Sequence, residues 1–261
     1  MKMTTFIDFE SDTVSCFQQD EFAIINLKAG AFNLLLNLEE KNKILELLDS
    51  IDKSPEIRGL VLINSDEYPG DVKYQELLCQ VMQDEYKSSY ASGVEVSRMR
   101  HAVAQLSLQA VKFRKPLVAG VQGRISGEFL GNILPFDFRL ATKDTVFMFP
   151  NVKLGFPPAG VLTYYLERFL GPAKATEVLM LGEDIYALDA KALGLVTGVV
   201  EGDELLEQCL KKLAAVCRVP IPTLSATRSL LHPEITVIEK YLDRSFKTEW
   251  KALNSMGKVN S

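Results

Sequence analysis

Few residues in this 261-residue chain have the types and spacing for chemistry. There are two histidines, His101 and His232, far apart in sequence and without metal-ligand spacing. An imidazole works as a general base only with a partner in hydrogen-bond reach, so both are expected to be structural or surface residues. The four cysteines stand at 16, 79, 209 and 217, and no pair has the C-x-x-C spacing of a zinc or dithiol site. Free thiols are expected, with Cys209 and Cys217 buried on the apolar side of a helix. Residues 123–127, GRISG, have the outline of a nucleophile elbow, but the serine falls one place late and a base is wanting. No G-x-G-x-x-G follows a strand and no Walker A is present, so nucleotide phosphates lack their usual cradle.

The elements that would carry a site are easier to read. Phe22–Leu27 and Gly59–Asn64 are short apolar runs that predict buried strands, and Leu117–Val121 follows Pro116 as a third. A fourth begins at 138–141, and 195–200 reads as another. Between them, Ile44, Leu47, Leu48 and Ile51 recur at helical spacing, as do Met99, Val103, Leu106 and Ala110. Pro69-Gly70 demands a turn, followed by a helix over 75–82. Further helices are predicted at 163–169 and 173–181, separated by Gly171-Pro172. Two more follow, one preceded by Asp203 as an N-cap and one over 234–250. Strands alternating with helices predict an α/β fold with parallel strands and right-handed crossovers.

Composition narrows the partners. Hydrophobic residues make up 47% and charged residues 24% of the chain, with a net charge of −5. That balance suits a globular protein and argues against nucleic acid or an anionic membrane as partner. The polar N-terminus and the lack of a run near the roughly 20 apolar residues of a membrane span predict a cytoplasmic protein.

Residues 116–171 read PLVAGVQGRISGEFLGNILPFDFRLATKDTVFMFPNVKLGFPPAGVLTYYLERFLG. This segment resembles the core of the crotonase (enoyl-CoA hydratase/isomerase) superfamily, through Pro116, Gly123, Gly127, Asp137, Ala141, Phe147, Pro150, Leu154, Gly155 and Gly171. The likeness extends over about residues 20–250, with Asn33 in a loop after the first strand and a later A-x-x-x-G-L-V-like segment within 187–200. It implies the ClpP/crotonase-like fold of repeated ββα units, with a core over 1–200 and a C-terminal helical trimerisation region over 201–261. It also implies a homotrimer or dimer of trimers acting on an acyl-CoA or acyl-carrier-protein thioester. No metal or redox cofactor follows from it, since coenzyme A or phosphopantetheine belongs to the substrate.

In that family two backbone N–H groups hold the thioester oxygen, where negative charge develops. Preorganised donors at helix N-termini stabilise such an oxyanion by several kcal/mol. The matching donors are the N–H groups of Asp71 and Glu128, with Tyr68, Gly70, Gly127, Gly131 and Leu154 around the substrate. The departures are as telling as the matches. The hydratase glutamates fall at Gly131 and Asn151, and neither residue can transfer a proton. Glu128 replaces a glycine, so a crowded pocket or an altered backbone is expected there.

Three readings follow from the resemblance. Decarboxylation or isomerisation could run on an oxyanion hole with Asn151 as a polar partner, assisted from the 66–101 region. Lys73, Tyr74, Glu76 and His101 are the assistants in view, all expected to face solvent. A late histidine of some relatives falls near Leu230, with His232 two places away. Alternatively, the Glu128 carboxyl, in a dry pocket, serves as the proton shuttle. The third reading is a degenerate homologue that binds or scaffolds without turnover.

Overall fold

The computed structural model describes residues 8–65, 68, 71–82 and 90–256. Among them run β1 (Asp8–Glu10), β2 (Val14–Gln19), β3 (Phe22–Leu27), β4 (Gly59–Asn64) and β5 (Leu117–Val121). They are followed by β6 (Arg124–Ser126), β7 (Phe138–Thr142), β8 (Val146–Met148), β9 (Ile185–Tyr186) and β10 (Gly198–Val200). The main sheet has the order β1-β2-β3-β4-β5-β7-β10, antiparallel through β3 and parallel from β3 onward. A second sheet, β6-β8-β9, stands at the C-terminal side of β5.

The strands with continuous apolar runs are those buried on both faces, and all five residues of β5 are buried. Their alternation divides two cores. Ala23, Ile25, Leu60, Leu117, Ala119 and Val121 face the larger one, whereas Phe22, Ile24, Val61 and Val118 face the smaller. β1 and β2 lie outside the sequence reading, since they are short, polar and partly exposed.

The helices are α1 (Leu38–Lys53), α2 (Asp71–Met82), α3 (Tyr90–Lys112), α4 (Gly127–Ile133) and α5 (Pro150–Lys153). After them come α6 (Leu162–Leu181), α7 (Ala187–Ala192), α8 (Leu205–Val216), α9 (Ile221–Leu231) and α10 (Ile235–Met256). Asn37 caps α1 by accepting from the N–H groups of Glu39 and Glu40, at 3.0 and 3.3 Å. α8 covers the smaller core, with Leu205, Cys209 and Leu213 against the sheet. It lies close because a side-chain carbon at Gly59 would stand 2.6 Å from Leu213, and one at Gly120 2.8 Å from the Cys209 sulfur. Burial pushes the Cys209 thiol up to about 12, as expected of an inert core cysteine. Among the described residues no helix is long and apolar enough to cross a membrane.

Several boundaries differ from the sequence reading. The two helices expected around Gly171-Pro172 form one run, α6, kinked at Gly171 with φ 75° and ψ 163°. That left-handed φ is open to glycine, and Pro172 cannot donate across the kink. Asp203 is not an N-cap: it lies in a short 3-10 turn, and Glu204 precedes α8 without a side-chain capping bond. The strand expected over 195–200 pairs only at β10. α9 escapes periodicity because Arg228 is its buried residue, so no apolar stripe marks it.

Candidate active site

The site is built where the parallel strands end. The Asn64 amide closes the tip of β4 onto the segment after β5: Asn64 Nδ2 donates to Gln122 O and Gln122 N to Asn64 Oδ1, both at 3.0 Å, while Gln122 Nε2 donates to Asn64 O at 2.8 Å. This lock fixes the exit toward α2 beside the exit toward α4. Ser126 then caps α4, its Oγ accepting from Phe129 N at 3.3 Å.

The glycines of α4 are packing positions. A side-chain carbon at Gly127 would stand 2.8 Å from a Phe149 ring carbon, and one at Gly131 3.1 Å from Leu162 Cα and Cβ. α6 therefore begins hard against α4, and the place of a side chain at 131 is filled by Leu162.

Glu128 lies between these glycines and is 5% exposed. Among the described residues Asp20 is the non-glycine with positive φ, so the altered backbone expected at Glu128 does not occur. Instead the carboxyl turns inward and meets Asn151, presented by the single turn of α5. Asn151 Nδ2 donates to Glu128 Oε1 at 2.7 Å and to the Tyr74 hydroxyl at 2.5 Å, all within the interior. Glu128 Oε2 is buried without a hydrogen-bond partner. Burial raises the Glu128 pKa above the ordinary 4.5, partly offset by Tyr74, by Asn151 and by the nearby N–H groups of Glu128 itself and Ala159. Burial, together with the Glu128 charge, raises the Tyr74 hydroxyl well above 10.

Behind Tyr74 lies an ion pair between α3 and α10. Arg100 Nε stands 3.0 Å from Glu249 Oε2, with the side chains 7% and 4% exposed. The alignment is poor for hydrogen bonds, and Arg100 Nη1 is left without a partner. Breaking so buried a pair costs about 3–5 kcal/mol, because the remaining charge is stranded.

Tyr74, Arg100, Ser126 and Glu128 all border a cavity of about 140 Å³ whose remaining wall is mainly aliphatic and aromatic side chains from β3, β4, α1 and α3. A similar volume in an apolar interior admits a benzene-sized group. Tyr68 joins the wall and rests on Phe129, ring centroids 5.4 Å apart.

The structure thus brings together Glu128, Asn151 and Tyr68. Leu154 packs instead with Tyr74, Leu77, Met99 and Phe156. Asp71 opens α2, and Gly70 lies outside the described residues. Lys73 and Glu76 face solvent, paired at 2.9 Å. His101 is exposed, bonded through Nδ1 to Ser97 O at 2.7 Å and 5.2 Å from the Phe246 ring. The expectation for Tyr74 is corrected: it is 3% exposed. Its signal in the sequence is the helical face it shares with Leu77 and Leu78, which a helix over 75–82 leaves out. Arg100 and Glu249 were missed because nothing in a sequence pairs α3 with α10.

A family model described as enoyl-CoA hydratase/isomerase matches residues 23–259. The chain belongs to that family. It is 28% identical over 186 residues to the crotonyl-CoA hydratase of Syntrophomonas wolfei, covering 69% of this chain and 66% of the relative. It is 26% identical over 198 residues to enoyl-CoA delta isomerase 2 of Homo sapiens, covering 75% and 48%. The chain thus spans about half to two-thirds of the length of these curated relatives. The solved enoyl-CoA hydratase of Bacillus halodurans superposes with a TM-score of 0.75 at 20% identity, over 92% of this chain and 94% of that one. The fold is the crotonase fold, as the resemblance implied.

Proposed function

We propose that this protein acts on an acyl-CoA or acyl-carrier-protein thioester by enolate chemistry, with Glu128 as the proton-transfer group. One observation carries the reading: a buried carboxyl on the wall of an apolar cavity, one oxygen tied to Asn151 and the other unpartnered. The N–H groups of Asp71 and Glu128, at the first turns of α2 and α4, would receive the thioester oxygen.

The step is a proton movement that balances without a co-reactant. Glu128 Oε2 takes a proton from the carbon next to the thioester carbonyl, and the C–H electron pair becomes the enolate double bond. The carbonyl electrons move onto the oxygen. Returning the same proton two carbons along a conjugated enolate shifts a double bond. Isomerisation is favoured over two-carboxyl hydration because Gly131 and Asn151 carry no carboxyl and Leu162 fills the space at 131. It is favoured over decarboxylation because Arg100, the cation among the described lining residues, is already paired with Glu249. Coenzyme A or phosphopantetheine enters as part of the substrate. Assembly as a homotrimer or dimer of trimers is part of the same proposal, and Leu230 and Leu231, 86% and 73% exposed, offer apolar surface for a contact between subunits.

A second reading, thioester binding without turnover, draws on the closeness of the Glu128 carboxyl to its own N–H, which sets the two in competition for one place. A panel of 3-enoyl-, crotonyl-, malonyl- and methylmalonyl-CoA, followed by mass spectrometry, separates them. Double-bond migration in the 3-enoyl thioester is the expected result. Fast hydration of crotonyl-CoA would overturn the proposal, and binding without any conversion would select the second reading.

A further inference from the structure

The two protons of the Asn151 amide nitrogen go to its near acceptors, Glu128 Oε1 at 2.7 Å and the Tyr74 hydroxyl oxygen at 2.5 Å, with Pro157 O farther off at 3.5 Å. Tyr74 accepts there, which leaves its own proton to give. Glu128 is the acceptor beside it, joined through the shared nitrogen. Arg100 and Glu249 face Tyr74 from α3 and α10, and the two largely cancel at 3.0 Å. Asn151, from α5, is neutral. With its oxygen accepting from Asn151, the Tyr74 hydroxyl keeps its proton to give, and the Glu128 carboxyl is the acidic group that shares that donor.

We propose that Tyr74 is a positioning residue for Glu128: with Asn151 it anchors one side of the carboxyl and leaves Oε2, buried and unpartnered in a residue that borders the cavity, as the working oxygen. This rests on the reading of Glu128 as the proton-transfer group. Anchoring one oxygen fixes which lone pair meets the substrate and resists rotation of the carboxyl. A hydroxyl donated to the charged form also limits how far burial can keep the group protonated. The residue lies on the first turn of α2, directly after the segment that would present the Asp71 N–H, so one helix would set both the oxyanion donor and the base.

The test is Tyr74→Phe, which removes the hydroxyl and keeps the ring. Two readouts are taken: the pH dependence of turnover of a 3-enoyl-CoA, and the titration of the Glu128 side-chain carbon by 13C NMR, assigned with Glu128→Gln. The expected result is a carboxyl midpoint displaced upward, and kcat lowered about tenfold or more with KM nearly unchanged. A midpoint and kcat equal to wild type would overturn the assignment. Should Tyr74→Phe fail to fold, 3-fluorotyrosine at position 74 makes the hydroxyl a stronger donor, and the midpoint is then expected to move down; no movement overturns the assignment equally. If the wild-type protein turns over no thioester, the functional reading fails on its own, and the NMR titration still decides whether Tyr74 controls this carboxyl.

Discussion

Two covered acids, Glu128 in α4 and Asp137 immediately before β7, are nine residues apart in sequence and held in opposite ways. Asp137 Oδ2 receives the Leu117 N–H at 2.7 Å and pairs with the Arg228 guanidinium, and the His232 ring stands 3.9 Å from Oδ1. Arg228 is itself bound to the carbonyls of Phe113 and Ala110, at 3.1 and 3.2 Å. Burial pulls the Asp137 pKa upward, yet His232, Arg228 and the Leu117 N–H outweigh it and hold it below 3.8. Glu128 has neutral hydrogen-bonding partners, an oxygen without one, and a raised pKa. A carboxylate matched by a buried guanidinium and a backbone donor staples a fold. One left short of partners beside a cavity is a candidate for proton exchange.

The contrast can be broken where it is strongest. Asp137→Ala strands the buried Arg228 charge, and we expect a loss of about 3–5 kcal/mol in urea unfolding. Activity per folded molecule should stay unchanged; a loss of activity at intact stability would place Asp137 in the catalytic machinery.

A smaller effect separates the two acids by pH. Because the folded Glu128 pKa lies above 4.5, its favourable contribution is complete below that value and is lost as pH rises through the folded pKa. Glu128→Gln should therefore unfold at higher denaturant than wild type above neutrality, by about 1–3 kcal/mol, with the gap closing toward acid. Asp137, with its depressed pKa, has the reverse sign: its contribution is present above 3.8 and lost as pH falls through the folded value. A pH-independent gap for Glu128→Gln would mean that the carboxyl titrates normally.

The sequence made these two residues unequally legible. β3, β4 and β5 are plain from their apolar runs because burial on both faces leaves little freedom of composition. Gly127 and Gly131 could be placed by resemblance, but their reason, contact with Phe149 and Leu162, depends on α6 lying across α4. Glu128 stood out because the resemblance implies a glycine at its place. Its partner Tyr74 did not, since a tyrosine in a helix with Lys73 and Glu76 reads as surface until α3 and α5 close over it. The Arg100–Glu249 pair joins residues whose contact is made by the last helix alone. Long-range electrostatic pairing leaves no local pattern in the sequence.

The central claim is that Glu128 moves a proton at the carbon next to the thioester. Exchange of the α-hydrogens of a saturated acyl-CoA such as hexanoyl-CoA in D2O, followed by mass spectrometry, tests that step without presupposing a product. Wild-type protein is expected to catalyse exchange, and Glu128→Gln to slow it by about 10²–10⁴-fold. Equal exchange by the two proteins would contradict the account.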